Sequence, residues 1–217
     1  MAKQDRAIRT RRKILEAAAT VFEQQGYQAA TIAEILKVAD VTKGALYFHF
    51  QSKEDLARCV LGEQHSAALH PQSVKLQELV DSTVVLAHRL RTDPLVRAGV
   101  RLTLDRQTDG LDQRGPFEEW SRRNREILEA AARQGELLPQ VDPAETAELL
   151  VATFAGIQLM SFAMSRYEDL PHRLCVLLRH LFPSITVPAV LTSMDFTPER
   201  AARLLAEHAA EHAAGAP

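Results

Sequence analysis

The chain has 217 residues, 46% hydrophobic and 25% charged, with nine glycines and two cysteines; this excludes collagen-like, low-complexity and strongly disordered classes. That length can bury a substantial core, in one large domain or in a small one joined to a larger one. The net charge of -2 conceals an asymmetry: ten Lys and Arg stand against seven Asp and Glu over residues 1–58, and sixteen against twenty-one over residues 59–217. A basic head on an acidic body suggests that the head alone meets a polyanion, while a plain solvated surface carries the same signature. Cys59 and Cys175 lie too far apart in sequence to suggest a zinc cluster or a disulfide framework. The amino terminus carries arginines and no apolar leader. The uncharged stretch Leu149 to Met164 is shorter than the roughly 20 residues of a spanning helix. These features predict a cytoplasmic protein with no membrane partner.

In chain order, Ile14, Ala18, Val21 and Phe22 share one face of a first helix that should end near Gly26. Thr31-Ile-Ala-Glu34 is a capping box opening a helix that runs only to about Ala39. Thr42 is the next N-cap, and Ser52-Lys-Glu-Asp55 is another box-like start. Two short helices joined by a three-residue turn at Asp40 carry the helix-turn-helix pattern. Downstream, His70-Pro71 breaks the chain before a helix from about Val74 to Arg91. Asp93-Pro94, Gly115-Pro116, Asp142-Pro143 and Thr197-Pro198 each set a capping residue or glycine before a proline at the first helical position, and Pro171 and Pro188 open two more. About ten helices and no convincing strand predict an all-α class.

The third helix reads VTKGALYFHF, residues 41–50. Projected at about 100° per residue, Lys43, Gly44 and Tyr47 cluster on one face, with Leu46 and Phe50 on one side and Ala45 and Phe48 on the other. This predicts a narrow wet face on a helix otherwise wedged into protein. A bare glycine there lets a partner approach the backbone, lysine can pair with a phosphate or a guanine edge, and tyrosine can offer a hydroxyl. The plainer account is a buried bundle helix with Tyr47 in the core and His49 on the surface. The capping box, the tight turn and the basic lead-in of Arg6, Arg9, Arg11, Arg12 and Lys13 favour a groove-reading helix.

The stretch AATIAEILKVADVTKGALYFHFQSKEDL resembles the DNA-binding signature of the tetracycline-repressor (TetR) family over residues 8–65, and GPFEEW and VATFAGIQ extend the likeness toward the γ-butyrolactone autoregulator receptors of actinomycetes. Asp40 departs from the pattern, since many relatives carry glycine in the turn; a cost of up to roughly 1 kcal/mol is expected rather than a lost turn. The resemblance implies a DNA-binding domain over residues 1–60 and a ligand-binding and dimerisation domain over 61–217. It implies that Thr42, Lys43, Gly44, Ala45, Tyr47 and His49 face the major groove or its rim, and that Thr31 and Lys53 grip phosphates.

In the body, Phe117, Trp120, Asn124, Ile127, Leu128 and Ala131 form a stripe that periodicity alone assigns to a core; the resemblance makes Trp120 a wall of the effector cavity. The helix from about Asp142 is apolar nearly all round and needs company on every side, from a core or a second subunit. The family pairs such helices in a four-helix bundle across a twofold axis. Thr153 and Gln158 interrupt that helix and could bond a ligand carbonyl or hydroxyl, or else a backbone carbonyl or a cross-subunit amide; Gln64 is a further ligand candidate by analogy. His208 and His212, at i and i+4 beside Glu207 and Glu211, read as a solvated helix end and not as a metal site.

No nucleophile elbow, Walker loop, dinucleotide-binding turn or zinc-protease motif occurs, so no catalytic residue and no cofactor are expected. The resemblance implies a homodimeric repressor on a pseudo-palindromic double-stranded DNA operator, released by a small γ-butyrolactone-type effector in quorum-sensing control of antibiotic biosynthesis. A pseudo-receptor answering to an antibiotic or a biosynthetic intermediate remains the competing expectation.

Overall fold

Prolines and capping residues punctuate the folded chain much as they punctuate the sequence. A computed structural model describes residues 2–62, 71–104 and 114–214. Over these it forms eleven α-helices: α1 (Ala2–Ala29), α2 (Ile32–Ala39), α3 (Lys43–His49), α4 (Lys53–Gly62), α5 (Lys75–Thr92), α6 (Pro94–Leu104), α7 (Arg114–Arg133), α8 (Pro143–Ser165), α9 (Leu170–Leu181), α10 (Pro188–Leu191) and α11 (Arg200–Ala214). Among the described residues no strand forms, only an isolated antiparallel bridge between Leu137 and Thr186. The class is all-α. Gly26 interrupts α1 at φ 78°, a left-handed conformation that suits glycine, close to where the first helix was expected to stop.

One compact unit gathers α1–α4 with α6. Its core joins Ile14, Leu15, Val21 and Phe22 of α1 to Ile35, Leu46, Phe50, Leu56 and Val60, and α6 adds Leu95, Ala98 and Leu102. Two arginines of α6 hold the far end of α1: Arg97 pairs with Glu23 at 2.8 Å, and Arg101 donates to the Glu23 carbonyl. This unit is therefore discontinuous in sequence, since the apolar face of α6 is spent on α1 and α4. That assignment needs tertiary contacts that no local signal carries.

The second unit gathers α5, most of α7 and α8–α11. On α5 the apolar residues Leu76, Leu79, Val80 and Leu90 are fully buried, and so is a carboxylate, Asp81, at 1% exposure. Arg200 of α11 closes on Asp81 with both Nε and Nη2, and Gln77 Nε2 donates to Asp81 Oδ1 at 2.7 Å. A buried charge left unpaired costs several kcal/mol, so this fork makes the α11 docking specific. The Glu136 side chain, also buried, accepts the Lys75 and Leu76 N–H groups at 2.9 and 2.8 Å and caps the start of α5.

Asp142 caps α8, accepting from the Ala144 and Glu145 amides at 2.8 and 2.9 Å, with Pro143 at the first helical position. By length and composition alone α8 is apolar enough to cross a membrane. Leu150, Val151 and Phe154 lie buried within the unit, whereas Leu149, Leu159, Met160 and Met164 are exposed. Arg166 ends the helix in a left-handed conformation at φ 53°.

At that corner Asp169 accepts from the Ser161 hydroxyl at 2.5 Å and the Ser165 hydroxyl at 2.7 Å and pairs with Arg173 at 2.7 Å. These bonds, the Ser161 hydroxyl first, lower its pKa from 3.8 to about 2. A depressed folded-state pKa gives stability that is complete above the unfolded value and fades as pH falls toward the folded one. Asp169→Asn is therefore expected to lower the thermal midpoint at neutral pH, and its deficit against the wild type should shrink as pH drops from about 4 toward about 2.

Candidate DNA interface and effector residues

A seven-residue helix cannot hold itself together in water, and α3 is held from outside its own hydrogen bonds. The Thr42 hydroxyl accepts the Ala45 N–H at 3.2 Å, which caps the helix, and Leu46 and Phe50 plunge into the head core at 0 and 1% exposure. The turn before it places Asp40 in the left-handed region, φ 47° and ψ 56°, with its N–H bonded to the last carbonyls of α2. Aspartate adopts the conformation that glycine supplies more cheaply, as expected.

The anchors set which residues face outward. Thr42, Lys43, Gly44, Tyr47 and Phe48 are exposed, and Ala45 and His49 are half-buried. Lys43 Nζ stands 5.9 Å from the centre of the Tyr47 ring, so the two share a polar strip, and Tyr47 is 45% exposed. A Cβ added to Gly44 would meet nothing within 4 Å, so the subunit itself imposes no requirement for glycine there. Phe48 departs from expectation. It was placed on a wedged flank and is the most exposed large apolar residue described, at 79%.

Two residues expected to grip phosphates, Thr31 and Lys53, are extensively bonded within the subunit. The Thr31 hydroxyl accepts the Glu34 N–H at 3.2 Å and donates to Glu34 Oε2 at 2.7 Å, and the Thr31 N–H reaches the same carboxylate oxygen at 3.0 Å. Thr31 thus closes its capping box, and the Thr31 hydroxyl and then Gln25 hold the Glu34 carboxylate below its usual range. The Lys53 ammonium donates to the carbonyls of Tyr27, Gln28 and Ala30 at 2.8, 3.3 and 2.9 Å and lies 4.4 Å over the Tyr27 ring. All three of its protons have carbonyl acceptors and burial lowers its pKa, so within the subunit it brackets the end of α1.

Part of the basic lead-in marked in the sequence comes to lie beside α3. Arg6 and Thr10 of the first turns of α1 line a groove of about 400 Å³ together with Val41, Thr42, Ala45, Phe48 and His49. Arg6 is exposed, a cation suited to a phosphate.

Of the effector candidates, Trp120 is half-buried, its ring 5.2 Å from Phe154 at 59°. Thr153 donates its hydroxyl to the Leu149 carbonyl at 2.7 Å, which leaves it only acceptor capacity for anything else. Gln158 lies on the Phe154 face of α8 at 5% exposure, and its Oε1 has no partner among the described residues. Gln64 lies outside the described residues. Among those described, no group of His, Cys, Asp and Glu is arranged to hold a metal ion.

Comparison with known proteins matches both parts of the chain. Residues 14–60 match the family described as bacterial regulatory proteins, tetR family, and residues 73–187 match the one described as tetracyclin repressor-like, C-terminal domain. The A-factor receptor protein of Streptomyces griseus is 43% identical over 194 residues, which cover 88% of this chain and 69% of that protein. The crystal structure of full-length native TylP, a TetR regulator from Streptomyces fradiae, superposes with a TM-score of 0.87 at 47% identity, covering 93% of this chain and 98% of that one. A γ-butyrolactone receptor described as ArpA-like superposes at 0.63 with 29% identity, covering 93% and 98%. With a helix-turn-helix head and a body that both match, the chain belongs to the TetR family and is a DNA-binding repressor, not an enzyme.

Proposed function

We propose that the protein is a homodimeric, effector-released repressor of the γ-butyrolactone-receptor type, acting on chromosomal DNA in the cytoplasm to control genes of secondary metabolism. In this reading Lys43, Gly44, Ala45 and Tyr47 enter the major groove, while Thr42 and His49 meet its rim. The observation that carries it is Gly44: an exposed glycine with open space around it, flanked by a lysine and a tyrosine, has no use inside the subunit and an obvious one against a duplex. Two such helices about 34 Å apart would read a pseudo-palindromic site.

A second copy of the chain is the natural cover for the exposed side of α8. Leu149, Leu159, Met160 and Met164 of α8 and Val176 of α9 give an apolar surface larger than scattered residues explain. Beside it Ile157, Met160, Val176 and Leu177 line a shallow hollow of about 580 Å³. The effector would sit against Trp120, with the unpartnered Gln158 Oε1 taking a hydrogen bond from it and Thr153 Oγ1 accepting another; a small γ-butyrolactone has suitable size and polarity. The likeness to the A-factor receptor and to a γ-butyrolactone receptor supports that effector class.

Three measurements test this proposal. Gly44→Ala should leave the thermal midpoint unchanged or raised, since glycine in a helix is about 0.5 to 1 kcal/mol worse than alanine, yet should weaken operator binding in a gel shift; a fall in stability would make the glycine structural. Lys43→Ala should cost ~1 to 3 kcal/mol of operator affinity with the fold intact, and unchanged binding removes it from the contact set. Trp120 is the only tryptophan. Titrated γ-butyrolactones should therefore quench or shift its emission and, in parallel, release the operator fragment. If only an antibiotic moves both signals, the lactone assignment fails; if Trp120→Ala keeps its release by lactone, the effector lies elsewhere.

A further inference from the structure

We infer that Phe48 reads the C5-methyl group of a thymine in each operator half-site. The inference depends on DNA binding by α3 and not on the effector.

A phenylalanine at 79% exposure stands out in a head that buries Phe22 and Phe50 completely. Its position on the helix explains why. Leu46 and Phe50, the two anchors, lie about 40° apart in projection, and the direction opposite their bisector falls on residue 48. Phe48 is therefore the crest of α3, the side chain farthest from the scaffold.

Helical side chains lean toward the N-terminus, so this ring leans over the turn that holds Gly44 and Ala45. Neither has a side chain large enough to shield it, and space beside Gly44 is open. On the other side the His49 ring meets Phe48 edge-on, 5.0 Å between centres and 84° between planes, which limits how far the aromatic can turn. The outward face of α3 is thus divided. Lys43 and Tyr47 form a polar strip, and Ala45 and Phe48 form an apolar one beside it.

The apolar strip has one good complement in B-form DNA. Phosphates offer nothing to a group without a donor, and in the donor and acceptor code of the major-groove base edges the thymine methyl is the projecting apolar group. Lys43 and Tyr47 can satisfy polar edges next to it, so the two strips together would read a thymine beside a purine that offers acceptors. Phe48 would then set sequence preference through contact area and not through hydrogen bonds. A projection of the sequence alone had placed it on a wedged flank.

Substituting uracil for thymine removes only the methyl and keeps every hydrogen-bonding group, so it isolates this contact. An operator duplex is first selected from randomised DNA with the full-length protein. Each dT is then replaced in turn by dU, and the affinities of the wild type and of Phe48→Ala are measured by titration. At one symmetry-related pair of positions, dU should weaken the wild type roughly four-fold per thymine, the equivalent of one buried methylene, and should leave Phe48→Ala unaffected. At all other positions the two proteins should lose equally. The variant should unfold at the wild-type temperature, because the side chain it removes packs on little. Equal dU penalties in both proteins at every position would overturn the inference. So would a Phe48→Ala protein that binds the selected duplex as tightly as the wild type with its fold unchanged. Loss of the thermal transition in Phe48→Ala would also overturn it, by making Phe48 structural; Phe48→Leu, which keeps apolar bulk, should in any case retain part of the thymine preference.

Discussion

Everything that α3 presents depends on the burial of Leu46 and Phe50. Seven residues form too few internal hydrogen bonds to repay their own ordering, so the helix exists because these two side chains are sealed into a core built by α1, α4 and α6 and because Thr42 closes its first turn. The anchors fix the rotation of the helix about its axis, and that rotation decides what faces out. Each exposed residue can then be replaced with small consequence for stability, which leaves Lys43, Gly44, Tyr47 and Phe48 open to selection for binding. The same head spends its less visible polar groups on rigidity: Thr31 with Glu34 closes α2, and Lys53 ties the last carbonyls of α1 to the start of α4.

The body divides its helices differently. On α8 one face packs inside the unit through Leu150, Val151 and Phe154, and the opposite face keeps Leu159, Met160 and Met164 in the open. A helix apolar on both sides would pass for a membrane span by composition, but its buried Ser161 and Thr146 are matched inside the unit, by Asp169 and by the Asp142 carbonyl.

Much of this was legible in the sequence because caps, prolines and tight turns act locally. The box at Thr31, the left-handed residue at Asp40, the cap at Thr42 and the Asp142-Pro143 start each use chemistry confined to four neighbouring residues, and each is found where it was expected. What could not be read depends on partners distant in the chain. The committed protons of Lys53 require Tyr27 and Ala30, over twenty residues away. The place of α6 in the head requires Glu23, and the exposure of Phe48 depends on which flank of α3, Leu46 with Phe50 or Ala45 with Phe48, is sealed into the scaffold, a choice that the wet face of Lys43, Gly44 and Tyr47 alone leaves open. Of the effector candidates, Gln158 carried a readable warning, a lone amide in an apolar helix, whereas the backbone bond of Thr153 is the ordinary fate of a helical hydroxyl.

The fork between Asp81 and Arg200 has a consequence for how the protein is made. The two residues are 119 positions apart, and the acid is sealed at 1% exposure. Until the ribosome has released residue 200, burying α5 means burying a carboxylate with no opposite charge and only Gln77 to bond it, which sets the full consolidation of the body late in synthesis. The head faces no such delay, since all its core residues through Leu102 emerge in the first half of translation.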